Sequence, residues 1–252
     1  MPSPFWTAFG DWYLFAIDAL LLIGTFYFLK LKKEEKANSY YWLPFFILAF
    51  TVFYENLGAY TNFNFEFKKS VNALLGNTEF PKYNLWLYNI TNKQISTILY
   101  LFLIKNWLEP TKKKYINWML IVFVIVSLVL QITGIEPLYL NQPIIFSMGA
   151  NMILIGSGLY FVALITNQYY LNSNPLKLLS FWQMTFLLFT YSLTYINSMT
   201  VIYLYEINSQ LGIGIVQIDR VLGILNKVIL VLIIASPLLK KVFVKEPIFR
   251  AA

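Results

Sequence analysis

Histidine and cysteine are both missing from this chain of 252 residues. Their absence excludes disulfides, thiolate nucleophiles, histidine-built metal sites and any Ser-His or Cys-His triad. Charge is scarce too, at 12% of residues, against 58% hydrophobic and 19% aromatic, far from the make-up of a water-soluble domain. Arginine is nearly absent, since only Arg220 and Arg250 among the 19 basic residues are arginine. Residues 1–10 carry no basic stretch and no small-residue cleavage pattern after a short apolar run, so a removable signal peptide is not expected.

What remains is apolar sequence of helix length. A hydrocarbon core of about 30 Å takes roughly 20 helical residues. Segments 11–30, 41–60, 84–104, 115–135, 143–166, 176–203 and 216–239 all reach that length. The expected fold is therefore all-α: a polytopic membrane protein in which residues 1–252 form a single transmembrane domain of seven helices. With the N-terminus outside, the inner side would hold Lys30, Lys32, Lys33, Lys36, Lys105, Lys112, Lys113, Lys114, Lys177, Lys240, Lys241, Lys245 and Arg250, and the outer side only Lys68, Lys69 and Lys82. That excess predicts N-out, C-in in a plasma membrane, or the inner membrane of a bacterium. It also makes the formal charge of +7 a topology signal, with membrane lipids and not nucleic acid as the expected partner. Aromatic belts are expected from Trp6, Trp12, Trp86 and Tyr139 on the outer side and from Trp42, Trp107, Trp118 and Trp182 on the inner side.

Two stretches, Ile90 to Ile95 and Ile224 to Ile229, share the pattern Ile-x-Asn-Lys-x-Ile, and each sets its lysine near the middle of an apolar segment. Lysine at bilayer depth costs about 2.5 to 3.5 kcal/mol on insertion scales and marks a functional position. Further echoes accompany the pair: Leu22-Ile23-Gly24-Thr25 with Leu154-Ile155-Gly156-Ser157, and Trp42 to Thr51 with Trp182 to Thr190. They suggest a three-plus-one-plus-three parallel repeat, with halves 11–104 and 143–239 joined by a linker helix at 115–135.

Polar residues recur at helical spacing on most segments. The third carries Asn89, Asn92, Lys93, Ser96 and Tyr100, the seventh Asp219, Arg220, Gly223, Asn226 and Lys227, and the second Thr51, Tyr54 and Glu55. The sixth adds Gln183, Thr190, Thr194 and Asn197, the first Asp18, and the fifth Ser147 and Asn151. The candidate ligand site is an outward-facing polar cavity lined by Lys93 and Lys227. Glu55, Asp18, Asp219 and Arg220 would be their charge partners, and Asn92, Asn151 and Asn226 neutral contacts. The expected ligand is a small solute or ion, anionic or zwitterionic, with no cofactor and no metal. The alternative use of such groups is ion pairing and amide bonding that only fix helix packing.

The number of spans, their orientation and the repeat resemble the SWEET and PQ-loop families, which implies transport by two halves around a central site. The Pro-Gln pair of the latter is not present, Gln142-Pro143 having the reverse order. Lys227 in the seventh span also resembles the Schiff-base lysine of microbial rhodopsins in position, which would imply bound retinal, although Gly223 stands where an acid is expected. A sensor working through a signalling partner, in a homo-oligomer or alone, would use the same site. An enzyme using Asp18 and Glu55 as acid and base has no motif in its favour.

Overall fold

The computed structural model describes residues 4–239, 243, 244 and 246, and the side chains of 196–207 and 209 fall outside that description. Lys240, Lys241, Lys245, Arg250 and the side chain of Asn197, all used in the sequence reading, therefore lie outside the described residues. Among the described residues the protein is helical throughout, with no strand. The longer helices are α1 (Trp12–Lys30), α2 (Ser39–Phe63), α3 (Phe65–Leu74), α4 (Ser96–Trp107), α5 (Pro110–Ile132), α6 (Pro143–Thr166), α7 (Leu179–Ile207) and α8 (Ser209–Ala235). A short helix, Leu85–Tyr88, and a π-helix, Asn89–Ile95, run continuously into α4.

Each start has a local cause. The Asp11 carboxylate accepts from the Tyr13 amide (2.9 Å) at the head of α1, and Asn38 does the same for Tyr40 (3.0 Å) at α2. Pro110 and Pro143 open α5 and α6, where the missing N–H would have no helical partner. Gly134, at φ +73°, takes the left-handed conformation that ends α5 and turns the chain back toward α6.

Among the described residues four helices, α1, α2, α5 and α6, are long and apolar enough to cross a membrane. Their outer faces are apolar as well as their inner ones. On α5 only the stripe Ile116, Leu120, Phe123 and Ser127 is buried, while Trp118, Ile121, Ile125, Leu128 and Ile132 are exposed. A helix apolar all round yet buried on one stripe suits an apolar solvent, so the protein is membrane-embedded.

The helices close into a ring. α1 packs on α2, α2 on α4, α4 on α6, α6 on α7, α7 on α8, and α8 returns both to α1 and directly to α2. α5 stands outside, against α4 and α6. Two ends can be told apart by their contacts. At one, Asp11 meets Arg220 and Asn89 meets the chain at Leu138; at the other, Ser39 meets Asn106 and Asn167 meets Glu109. They are named here the Asp11 end and the Lys30 end. Lysines gather at the second, where Lys32, Lys33, Lys105, Lys112 and Lys177 flank the connections.

Tryptophan only partly follows the expected belts. Trp6, Trp12, Trp42 and Trp118 are exposed, but Trp107 is fully buried and Trp86 nearly so. Trp107 sits in the core beside Tyr40, with ring centroids 6.1 Å apart, and its carbonyl accepts from the Tyr170 hydroxyl (3.0 Å).

Candidate functional site

Lys227 projects from α8 toward the interior of the ring and is only 6% exposed. Its ammonium donates to the Gly223 carbonyl (3.1 Å) one turn back and lies 5.7 Å from the centroid of the Tyr13 ring. Gly223 lies beside it, where a Cβ would stand 3.6 Å from the lysine Nζ and 3.9 Å from the Tyr13 hydroxyl, at ordinary contact distance. Among the described residues no carboxylate reaches Lys227 at ion-pair distance; the pairs formed are Arg220 with Asp11 (3.1 Å) and Lys112 with Glu109 (2.7 Å). Two carboxylates nevertheless stand in its field, Glu55 of α2 and Asp219 of α8.

These two acids are held differently. Asp219 accepts from the Thr194 hydroxyl of α7 (2.7 Å). Glu55 forms no hydrogen bond or ion pair among the described residues, yet Arg220, Asp11, Tyr13, Tyr54 and Tyr88 all interact with it electrostatically. The tyrosines complete the surroundings. Tyr100 and Tyr191 cross at 6.0 Å between α4 and α7, and Tyr54 and Tyr88 at 6.5 Å, with the Tyr88 hydroxyl pressed against Gly58. Side chains from α1, α2, α4, α7 and α8 therefore converge on one polar centre in the half of the ring nearer the Asp11 end.

Lys93 belongs to a different network. Its ammonium donates to the Asn141 side chain (2.8 Å), in the connection between α5 and α6, and lies 5.8 Å from the Phe146 ring centroid. Neighbours on the same π segment bind the same connection. Asn89 donates to the carbonyls of Leu138 (2.7 Å) and Leu140 (2.6 Å), and Gln94 to the Gln142 side chain (3.0 Å). The connection is itself pinned by Glu136, whose two carboxylate oxygens accept from the amides of Ile144 (2.6 Å) and Ile145 (2.9 Å) in the first turn of α6. Lys93 thus sits level with the start of α6, at the Asp11 end of the bundle and not at mid-length as its place in the sequence suggested.

The π-helix explains the divergence. Seven residues of a regular α-helix turn through about 700°, nearly two full turns, which would put Lys93 and Tyr100 on one face. Here the Ser96 amide bonds the Thr91 carbonyl, five residues back, and the wider turn underwinds the chain. Asn89, Lys93 and Gln94 then face the connection before α6, while Tyr100 faces the Lys227 centre.

The other expected site residues divide as well. Asp11 pairs with Arg220 at the edge of the centre. Asp18 accepts from the Asn56 side chain (2.9 Å) between α1 and α2. Asn226 is buried and bonded by the Gln183 side chain across α7 and α8. Asn92 and Asn151 are exposed, the latter bonding back to the Ser147 carbonyl of its own helix (2.8 Å). Tyr13, Tyr88, Tyr191, Asn56 and Glu136 were not singled out in the sequence. Tyr191 had a signal, lying three residues before Thr194 and hence on its face; Glu136 had one in Pro143, a helix start in want of an external cap.

At the Lys30 end a further acid is buried. Glu246 follows α8 and accepts from the Ser180 amide (2.6 Å) at the head of α7, while the Ser180 hydroxyl pairs with that of Tyr160 (2.6 Å). Burial pushes its carboxyl up to about 7, against the bonds from Ser180 and Leu179 that favour the charged form. Val244 donates to the Lys177 carbonyl (3.1 Å), so the segment is tied at two points.

Among known proteins, no family model, no curated protein and no solved structure matches this chain.

Proposed function

We propose that this is a seven-span plasma-membrane protein, N-out and C-in, which binds a small solute or ion at the Lys227 centre and passes it across the bilayer. The spans in this reading are α1, α2, α4 with its π extension, and α5 to α8. The observation that carries it is the convergence of five ring helices on a buried lysine that has no carboxylate partner. A charge in that position is costly, and a purely structural ion pair would hold the two groups in contact. Orientation is supported by the lysines at the Lys30 end.

The ring also supports the repeat. Matching α1 with α6, α2 with α7 and α4 with α8 pairs α1–α2 with α6–α7, α2–α4 with α7–α8, and α8–α1 with α4–α6, while the direct α2–α8 packing has no counterpart of similar extent between α4 and α7 among the described residues. Gly24 packs against Leu48 of α2 and against Val231 and Ile234 of α8, and Gly156 against Ile104 of α4 and Ile116 of α5. Two halves related about the membrane normal could then rock around the shared centre.

The test is flux in proteoliposomes of purified protein, with Lys227→Ala and Lys93→Ala in parallel. Lys227→Ala is expected to abolish uptake and Lys93→Ala to retain most of it. Equal loss in both would overturn the assignment of the centre, and binding without any flux would replace transport by sensing. Retinal added to the protein is expected to give no visible band; a band abolished by Lys227→Ala would reverse the reading.

A further inference from the structure

Two groups of opposite charge remain unsatisfied in the Lys227 centre. The lysine has three N–H donors and one acceptor, the Gly223 carbonyl, which leaves two donors free among the described residues. Glu55 has four lone-pair positions and no donor bonded to any of them among the described residues. Each stands in the other's field, yet they are not within the 4.0 Å of an ion pair. Arg220 is paired with Asp11, and Asp219 is anchored by one hydrogen bond from the neutral Thr194 hydroxyl.

We infer that the site takes the zwitterion of an α-amino acid, with its carboxylate on Lys227 and its ammonium on Glu55. The inference rests on the reading of this centre as a solute site and names the class of solute. A lone anion would satisfy the lysine and leave the half-buried glutamate without a partner; a lone cation would do the reverse. An α-amino acid carries both charges one carbon apart. It would span the gap between the two side chains with charge-assisted hydrogen bonds of about 2.8 Å at each end. Tyr13, Tyr54 and Tyr88 interact electrostatically with Glu55 and enclose its surroundings with aromatic side chains.

The experiment is binding to purified full-length protein, read by calorimetry, and flux in liposomes, with matched probes. One trio is leucine, 4-methylpentanoate and 3-methylbutylamine, which share a carbon skeleton and differ in which charge they keep. Glycine, acetate and methylamine repeat it at minimum size. In at least one trio the amino acid should bind at least about tenfold more tightly than either singly charged analogue, the loss expected for one charge-assisted contact. Glu55→Gln should erase the advantage over the carboxylate, and Lys227→Met the advantage over the amine.

An analogue bound as tightly as its amino acid overturns the proposal, as does the absence of binding by every probe. The two readings fail separately. Preference for the amino acid without flux would uphold the zwitterion and overturn transport, whereas flux of other solutes with no such preference would do the opposite.

Discussion

The two Ile-x-Asn-Lys-x-Ile stretches have the same residues at their fixed positions and opposite surroundings. Around Lys93 the side chains are tied to another segment: the ammonium has Asn141, the Asn89 amide nitrogen has two carbonyls, Gln94 has Gln142, and Glu136 is shared between two helix-end amides, while the Asn89 Oδ1 is buried without a partner among the described residues. Around Lys227 the matching is incomplete, with a lysine bonded only to its own helix and Glu55 bonded to nothing among the described residues. The asparagines reverse the picture, Asn92 being exposed and Asn226 buried against Gln183. A motif at membrane depth therefore identifies an expensive residue, and its neighbours decide whether that residue holds a connection or stays bonded only to its own helix.

Stability measurements can break that comparison. The largest contrast is between the two acids. Glu136→Ala should lower unfolding stability in detergent by about 3 kcal/mol, because two buried amides lose a charged acceptor. Glu55→Ala should leave it unchanged to within about 0.5 kcal/mol, since no partner is orphaned. Equal losses would mean that Glu55 is bonded after all. Next come the asparagines: Asn226→Leu should cost about 2 kcal/mol by stranding Gln183, and Asn92→Leu nothing measurable.

The lysines should differ in sign. Lys93→Met removes a charge-assisted bond and should destabilise by about 1 kcal/mol, whereas Lys227→Met removes a buried unpaired charge and should be neutral or stabilising by a similar amount. Thermal midpoints of the two variants moving together would erase the distinction drawn between the networks.

The smallest effect concerns Glu246, a third buried acid that lies in neither network. Its carboxyl titrates near 7 when docked, above the ordinary value of 4.5. Docking is therefore favoured fully below about 4.5 and loses that contribution as pH rises through 7. Amide exchange at Ser180, corrected for its intrinsic pH dependence, should accelerate above pH 7 relative to pH 5, and Glu246→Gln should flatten the difference.

Much of the helical layout was legible in the sequence. The boundaries of α6 were read to the residue, because Pro143 opens it and the apolar run closes at Thr166. α8 begins at Ser209, seven residues before the expected start, since Asn208 caps it through Leu211 (3.2 Å) and the helix outruns its apolar stretch. The site was half legible. Lys227, Glu55, Asp219 and Arg220 could be picked as costly charges on helical stripes. Lys93 could be picked for the same reason, but no local signal announces a π turn, so the phase change that separates it from Tyr100 was invisible. Nor can one chain's spacing say that Asn141 and Glu136, from a connection, would reach the helix.

Gly24 and Gly156 have a mechanical consequence. Gly24 of α1 presents bare backbone to Leu48 of α2 and to Val231 and Ile234 of α8, and Gly156 of α6 to Ile104 of α4 and Ile116 of α5. Interdigitated side chains resist sliding because every knob must leave its hole, whereas a smooth strip lets one helix shear past another by an ångström or two. If the protein moves as proposed above, both contacts would serve as slip planes of that kind. Roughening either one, with Gly24→Val or Gly156→Val, would act as a brake on relative motion of the halves without touching a single charged group.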